Sequence, residues 1–160
     1  MSSFVRTILA VIAGVLLAYG LPWTLERILV ESYAGGRPMG AAAYFDVRNT
    51  PLIMFGRVLM AFMLSVLSGH IAARIAKYDA ERTVAIAAAA ISMVLIWDYT
   101  GGEFAWGTPI WMRIAIVLLT GPSMVLGAIA RARAAEVQAQ EAAAQAAAQG
   151  RPPSSQGTRP

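Results

Sequence analysis

The sequence predicts an all-α integral membrane protein, a four-helix bundle with a cytoplasmic helical extension and a disordered C-terminal tail. Three observations lead there. Hydrophobic residues make up 58% of the chain and charged residues only 14%, against about 25% charged in an average soluble domain. The charges cluster and leave long apolar gaps, where a soluble chain of this size needs more polar surface to cover its core. Four of those gaps approach or exceed the roughly 20 apolar residues that a helix needs to cross a bilayer core.

The first span is expected at about 4–22, with Arg6 near its start. A charged start, an apolar core and Ala18-Tyr19-Gly20 also resemble a signal peptide with a small-x-small cleavage site. Against cleavage, the apolar stretch is longer than most signal cores, and more hydrophobic residues follow from Leu25 to Val30. The second span is expected at about 51–74. Thr50 is placed to cap its first turn, and Pro51 suits the first helical position. The third, about 83–99, is short and rich in Ala. The fourth, about 109–131, carries only Arg113 before its end, and Gly121-Pro122 at its middle should kink it. Together these make one transmembrane domain over 1–133.

Between the first two spans, Trp23 to Tyr33 reads as a short interfacial helix, since Leu25, Ile28 and Leu29 share a face at helical spacing. Gly35-Gly36-Arg37-Pro38 then reads as a turn. Trp97, Tyr99, Trp106 and Trp111 are expected to form an aromatic belt at one boundary. Residues 134–149 are Ala, Gln and Glu with high helix propensity and no apolar face, which predicts a helical extension of the fourth span. Residues 150–160 are rich in Pro, Ser and Gly and are expected to be disordered.

Net charge is +4, and the Arg residues flank the apolar segments. They do not form one stripe with interleaved aromatics, so the expected partner is the lipid bilayer and not nucleic acid. Arg74, Lys77 and Arg82 lie in the second connection, and Arg131 and Arg133 follow the fourth span. The third connection, Asp98 to Thr108, has no Lys or Arg. The rule that basic loops stay inside then puts the second connection and both termini in the cytoplasm. All basic residues except Lys77 are Arg, and Ala is abundant, which fits a GC-rich bacterial genome and hence a bacterial inner membrane.

Small residues four apart form the clearest pattern. Ala10, Gly14 and Ala18 share a face of the first helix; Ala61, Ser65, Gly69 and Ala73 share a face of the second. Such faces let helix backbones approach closely, either within one bundle or against another copy or subunit. A fainter echo links Val66-Leu67-Ser68-Gly69-His70-Ile71-Ala72 to Val125-Leu126-Gly127-Ala128-Ile129-Ala130.

Arg57, Asp98, Glu103 and Arg113 form an expected polar cluster toward the outer side. Asp98 is the obvious partner for Arg57, and snorkelling or a structural ion pair is the plain account of both Arg residues. His70, the single His, belongs to the opposite side. A core of roughly 30 Å separates it from Asp98, whereas an acid–base pair needs contact within about 3 Å or one bridging water. With no Cys, no acidic cluster near His70, no phosphate loop and no dinucleotide fingerprint, neither catalytic residues nor a metal or cofactor site are expected.

Gly69-His70-Ile71-Ala72-Ala73-Arg74-Ile75-Ala76 resembles a segment that often ends the second or third span in a loose group of small four-span bacterial inner-membrane proteins, uncharacterised and with no assigned activity. Four spans is also the size of the small multidrug resistance transporters. Their membrane-embedded Glu in the first helix has no counterpart between Arg6 and Pro22, which sets that family aside. The expectation is therefore a non-catalytic structural or accessory subunit that binds other membrane helices. The alternative is a small oligomeric carrier or channel for an ion or solute, with a membrane enzyme behind both.

Overall fold

The computed structural model describes residues 2–36, 39–101 and 104–148. Among them every regular element is helical. Helix α1 (Ser3–Val15) passes through a π-helical turn (Leu16–Gly20) into α2 (Leu21–Tyr33). Then come α3 (Ala41–Arg48), α4 (Pro51–Ala76), a 3-10 turn (Lys77–Asp79), α5 (Ala80–Gly101), the single turn α6 (Phe104–Gly107) and α7 (Ile110–Ala148). Four stretches are long and apolar enough to cross a membrane: Ser3–Tyr33, Pro51–Ala76, Ala80–Gly101 and Ile110–Ala148. At 1.5 Å per residue, the 22 residues of α5 span about 33 Å, so even the shortest reaches across a core of about 30 Å.

Helix α4 lies at the centre, against α1, α2, α5 and α7, most extensively α7. Its pattern explains why. Leu52, Phe55, Leu59, Met63 and Leu67 form an outward stripe, while Ile53, Arg57, Ala61, Ser65, Gly69, Ala72 and Ala73 are buried. Apart from Ile53, large apolar side chains face out and small or polar ones face in. That is the arrangement expected where the solvent is itself apolar and tight backbone contact drives packing.

The tightest contact is between α4 and α7. A Cβ added at Gly69 would overlap the carbonyl oxygen of Met124, and one added at Gly127 would overlap that of Val66. Each glycine thus sits on the residue three positions before the other, so the two echoed segments cross each other. The pairings Arg57 with Met112 and Gly69 with Met124 run in the same direction along both helices, so α4 and α7 are parallel. Helix α1 runs antiparallel to α4, and Ser68 Oγ donates to the Gly14 carbonyl across 2.6 Å to join them.

Several sequence expectations change here. Trp23 to Tyr33 is not a separate interfacial helix but the continuation of the first one. Pro22 stands in the first turn of α2, and its ring would clash with the carbonyl four residues back in an unbroken α-helix. The π turn, closed by Leu21 N–H on the Leu16 carbonyl, widens the helix at that place and lets it continue. The buried face of α2 is then Glu26 and Val30, while Ile28 and Leu29 are exposed. Thr50 occupies the N-cap position of α4 but caps nothing, because its hydroxyl donates back to the Val47 carbonyl. Trp97 and Trp111 are exposed as a belt requires, but Tyr99 is buried; the Trp106 side chain lies outside the described residues. Helix α5 covers Ala80–Gly101, a turn longer than the expected third span. Helix α7 continues without a break through the Ala/Gln-rich segment to Ala148. Residues 149–160 lie outside the described residues, as do Arg37 and Pro38 of the expected turn.

Candidate functional site: a buried charge cluster

At the end of the molecule where α2, α3, α4 and the start of α7 meet, three charged side chains are buried together. Glu26 comes from α2, Arg48 from the last turn of α3 and Arg57 from the second turn of α4. Arg48 Nε lies 2.5 Å from Glu26 Oε1, and Arg57 Nε lies 2.6 Å from Glu26 Oε2. Each carboxylate oxygen therefore faces its own guanidinium. The Arg57 contact is an ion pair without hydrogen-bond alignment, since its Nε has no bonded acceptor. Arg57 Nη1 also donates to Met112 Sδ at 3.5 Å.

Helix α3 is fastened at several points. Arg48 Nη1 donates to Thr108 Oγ1 at 2.5 Å, and Asn49 Nδ2 donates to the Gly107 carbonyl at 2.7 Å. The Arg48 guanidinium carbon sits 5.4 Å from the centre of the Phe45 ring, within cation–π range. Tyr44 donates its hydroxyl to Glu26 Oε1 at 3.3 Å. Burial first, then the Glu26 charge, pushes the Tyr44 phenol above its ordinary value, so it remains the protonated donor at neutral pH.

A cavity of about 50 Å³ adjoins the cluster. Glu26, Arg57, Tyr19, Asp98 and Tyr99 contribute to its walls, and Ala61 and Thr120 lie deeper along α4 and α7. That is room for a few waters or a small ion. Tyr19 and Asp98 both line this space. Thr120 turns its hydroxyl onto the Ile116 carbonyl at 2.7 Å, beside Gly121-Pro122. Among the described residues no three His, Asp or Glu side chains come together as a metal site would require.

The expected polar set is only partly brought together. Arg57 and Asp98 line the same cavity, but the ion-pair partner of Arg57 is Glu26 and not Asp98. Arg57 does not snorkel, being only 4% exposed. Arg113 stands apart from the cluster: its Nε donates to the Thr108 carbonyl at 2.7 Å and its Nη1 to the Tyr99 carbonyl at 3.3 Å. Glu103 lies outside the described residues. His70 follows Arg57 by 13 residues on α4, about 20 Å along the axis, and takes no part. Ala10, Gly14, Ala18, Ala61, Ser65, Gly69 and Ala73 are all buried, so the chain's own helices occupy those faces.

Glu26 and Arg48 are not among the residues that the sequence singled out. The available signal was Pro22 four positions before Glu26. A proline in the first turn starts a helix as readily as it ends one, and that places Glu26 and Val30 on one inward face. No family model, curated protein or solved structure matches the chain.

Proposed function

We propose that this chain is a multi-pass protein of a bacterial inner membrane, a four-helix bundle with both termini in the cytoplasm. We further propose that it acts without catalysis, as a structural or accessory subunit bound to other membrane helices. The observation that carries this reading is the mutual engagement of the buried charges. Both Glu26 oxygens face arginines, and the adjoining cavity is small, about 50 Å³. Such a cluster acts as a latch: it fixes α2 and α3 against α4 and the start of α7, and it presents no uncommitted base or nucleophile of its own. Removing one member of a buried charge cluster leaves an uncompensated charge, which makes the arrangement a strong determinant of one geometry.

Orientation rests on Arg74, Lys77, Arg82, Arg131 and Arg133, which gather at the end opposite the latch. With the small-residue faces taken up inside the chain, association with other helices falls to the outward apolar surface, of which the α4 stripe is the clearest part. The test is native purification in mild detergent with identification and stoichiometry of whatever co-purifies. A defined complex, with a second copy or with another membrane protein, is expected. A strict monomer across several mild detergents overturns the accessory-subunit reading.

One observation favours the carrier as a second reading: the cavity extends from Glu26 down to Thr120, next to the proline of α7. Carriers place charged groups and interrupted helices on such a path. Flux in reconstituted vesicles that Glu26→Gln abolishes would establish it.

A further inference from the structure

At the end of the molecule away from the latch, α4, the 3-10 turn and α7 surround a second hollow of about 510 Å³. Three cationic side chains line it, one from each element: Arg74, Lys77 and Arg131. The rest of its wall is alanine, including Ala80, Ala128 and Ala132, whose short side chains leave the space open. No acidic residue lines it. Among the described residues the ion pairs are Arg27 with Glu31, Arg48 with Glu26 and Arg57 with Glu26. Among the described residues, the three cations of the hollow therefore have no carboxylate partner.

Lys77 adds an independent sign. Its backbone has φ 59° and ψ −91°, a region that L side chains rarely adopt and that glycine would occupy more easily. The chain turns the corner between α4 and α5 on a strained lysine whose side chain lines the hollow. Basic residues at the end of a span commonly mark only its sidedness. Here they come from three elements and converge on one concave site, which sidedness alone does not require.

We propose that this hollow binds the phosphate-bearing headgroup of an anionic membrane phospholipid. Phosphate is the shared chemistry, because guanidinium and ammonium groups around a concave wall match its charge and its oxygens. The lipid is the source favoured by position. The hollow lies where α4 ends and α5 begins, at the limit of two helices apolar enough to cross a membrane, where headgroups would lie. The proposal rests on the membrane placement above but on neither the accessory nor the carrier reading.

The test is native mass spectrometry of the full chain in mild detergent, titrated with phosphatidylglycerol, phosphatidylcholine or inorganic phosphate. Phosphatidylglycerol should bind at least about tenfold more tightly than phosphatidylcholine, given the roughly fivefold that each basic residue near a headgroup contributes. The double variant Arg74→Gln/Arg131→Gln should lose that preference. Ala132→Trp should lose it too; it fills the hollow at an exposed position without removing a charge. Arg133→Gln, outside the hollow, should keep it. Equal binding of the two lipids, wild-type binding by Ala132→Trp, or an equal loss in Arg133→Gln would each overturn the site. Displacement of the lipid by inorganic phosphate at matched concentration would overturn the lipid assignment. A chain that fractionates away from membranes would refute the membrane placement itself; one that stays with membranes but shows no lipid preference refutes only this site.

Discussion

Arg57 on α4 sets its Nε 2.6 Å from Glu26 Oε2 on α2, and both residues belong to helices apolar enough to cross a membrane. A single ion pair there would be hard to sustain, because desolvating two charges costs several kcal/mol per ion even in real proteins. Arg48 changes that balance by occupying the other Glu26 oxygen, and Tyr44 and Thr108 supply further polar contacts. The cluster holds because several elements converge on one carboxylate.

Glu26→Gln should therefore be far more damaging than a surface change. It removes the one negative charge facing two buried guanidinium groups and should destabilise the fold by about 3–5 kcal/mol. Reversible unfolding in mixed micelles, followed by circular dichroism, measures this.

The α4–α7 crossing gives a second prediction. Gly69→Ala and Gly127→Ala each place a methyl on a backbone carbonyl, so the helices must separate along their closest contact. A loss of about 2 kcal/mol or more is expected for either, at the upper end of overpacking effects. Gly101→Ala, at the exposed end of α5, meets nothing within 4 Å and should change stability by less than about 0.5 kcal/mol. The same unfolding assay compares all three.

Asp98→Asn separates the latch from its neighbour. Asp98 shares the cavity with Tyr19 and Arg57, but the ion-pair partner of Arg57 is Glu26. The substitution keeps the side chain's shape, should cost no more than about 1 kcal/mol, and should leave co-purification unchanged. Loss of association in a stably folded Asp98→Asn protein would move that residue from the wall of the latch into a working site.

Sidedness can be read cleanly because the chain has no Cys. Asp79→Cys in the turn before α5 and Thr100→Cys near its far end are both at exposed positions. In whole cells an impermeant maleimide should label Thr100→Cys and reach Asp79→Cys only after the membrane is opened. The reverse pattern would invert the proposed topology.

The four long helices were legible because hydropathy and length mark stretches apolar enough to cross a bilayer. Gly14 and Gly69 sit in runs of small residues at helical spacing, and both are buried. The latch was not legible. Pro22 looked like the end of a span, and only the π turn before it shows that the helix continues and carries Glu26 inward. Arg48 is remote in sequence from both its carboxylate and Thr108, and no local pattern marks such a meeting. Asp98 looked like the natural partner of Arg57 because both were assigned to one side, but side alone does not specify which faces meet.

The most direct measurement of the central claim, that the Glu26–Arg48–Arg57 cluster is a structural latch, is the triple variant Glu26→Met/Arg48→Leu/Arg57→Met. Replacing all members of a buried charged triad with apolar side chains of similar volume is often neutral or stabilising, whereas removing one is not. The triple variant should regain the stability lost in Glu26→Gln and still co-purify with the same partners. A triple variant that is as stable as the wild type but has lost its association, or has lost a flux the wild type supports, would contradict that claim.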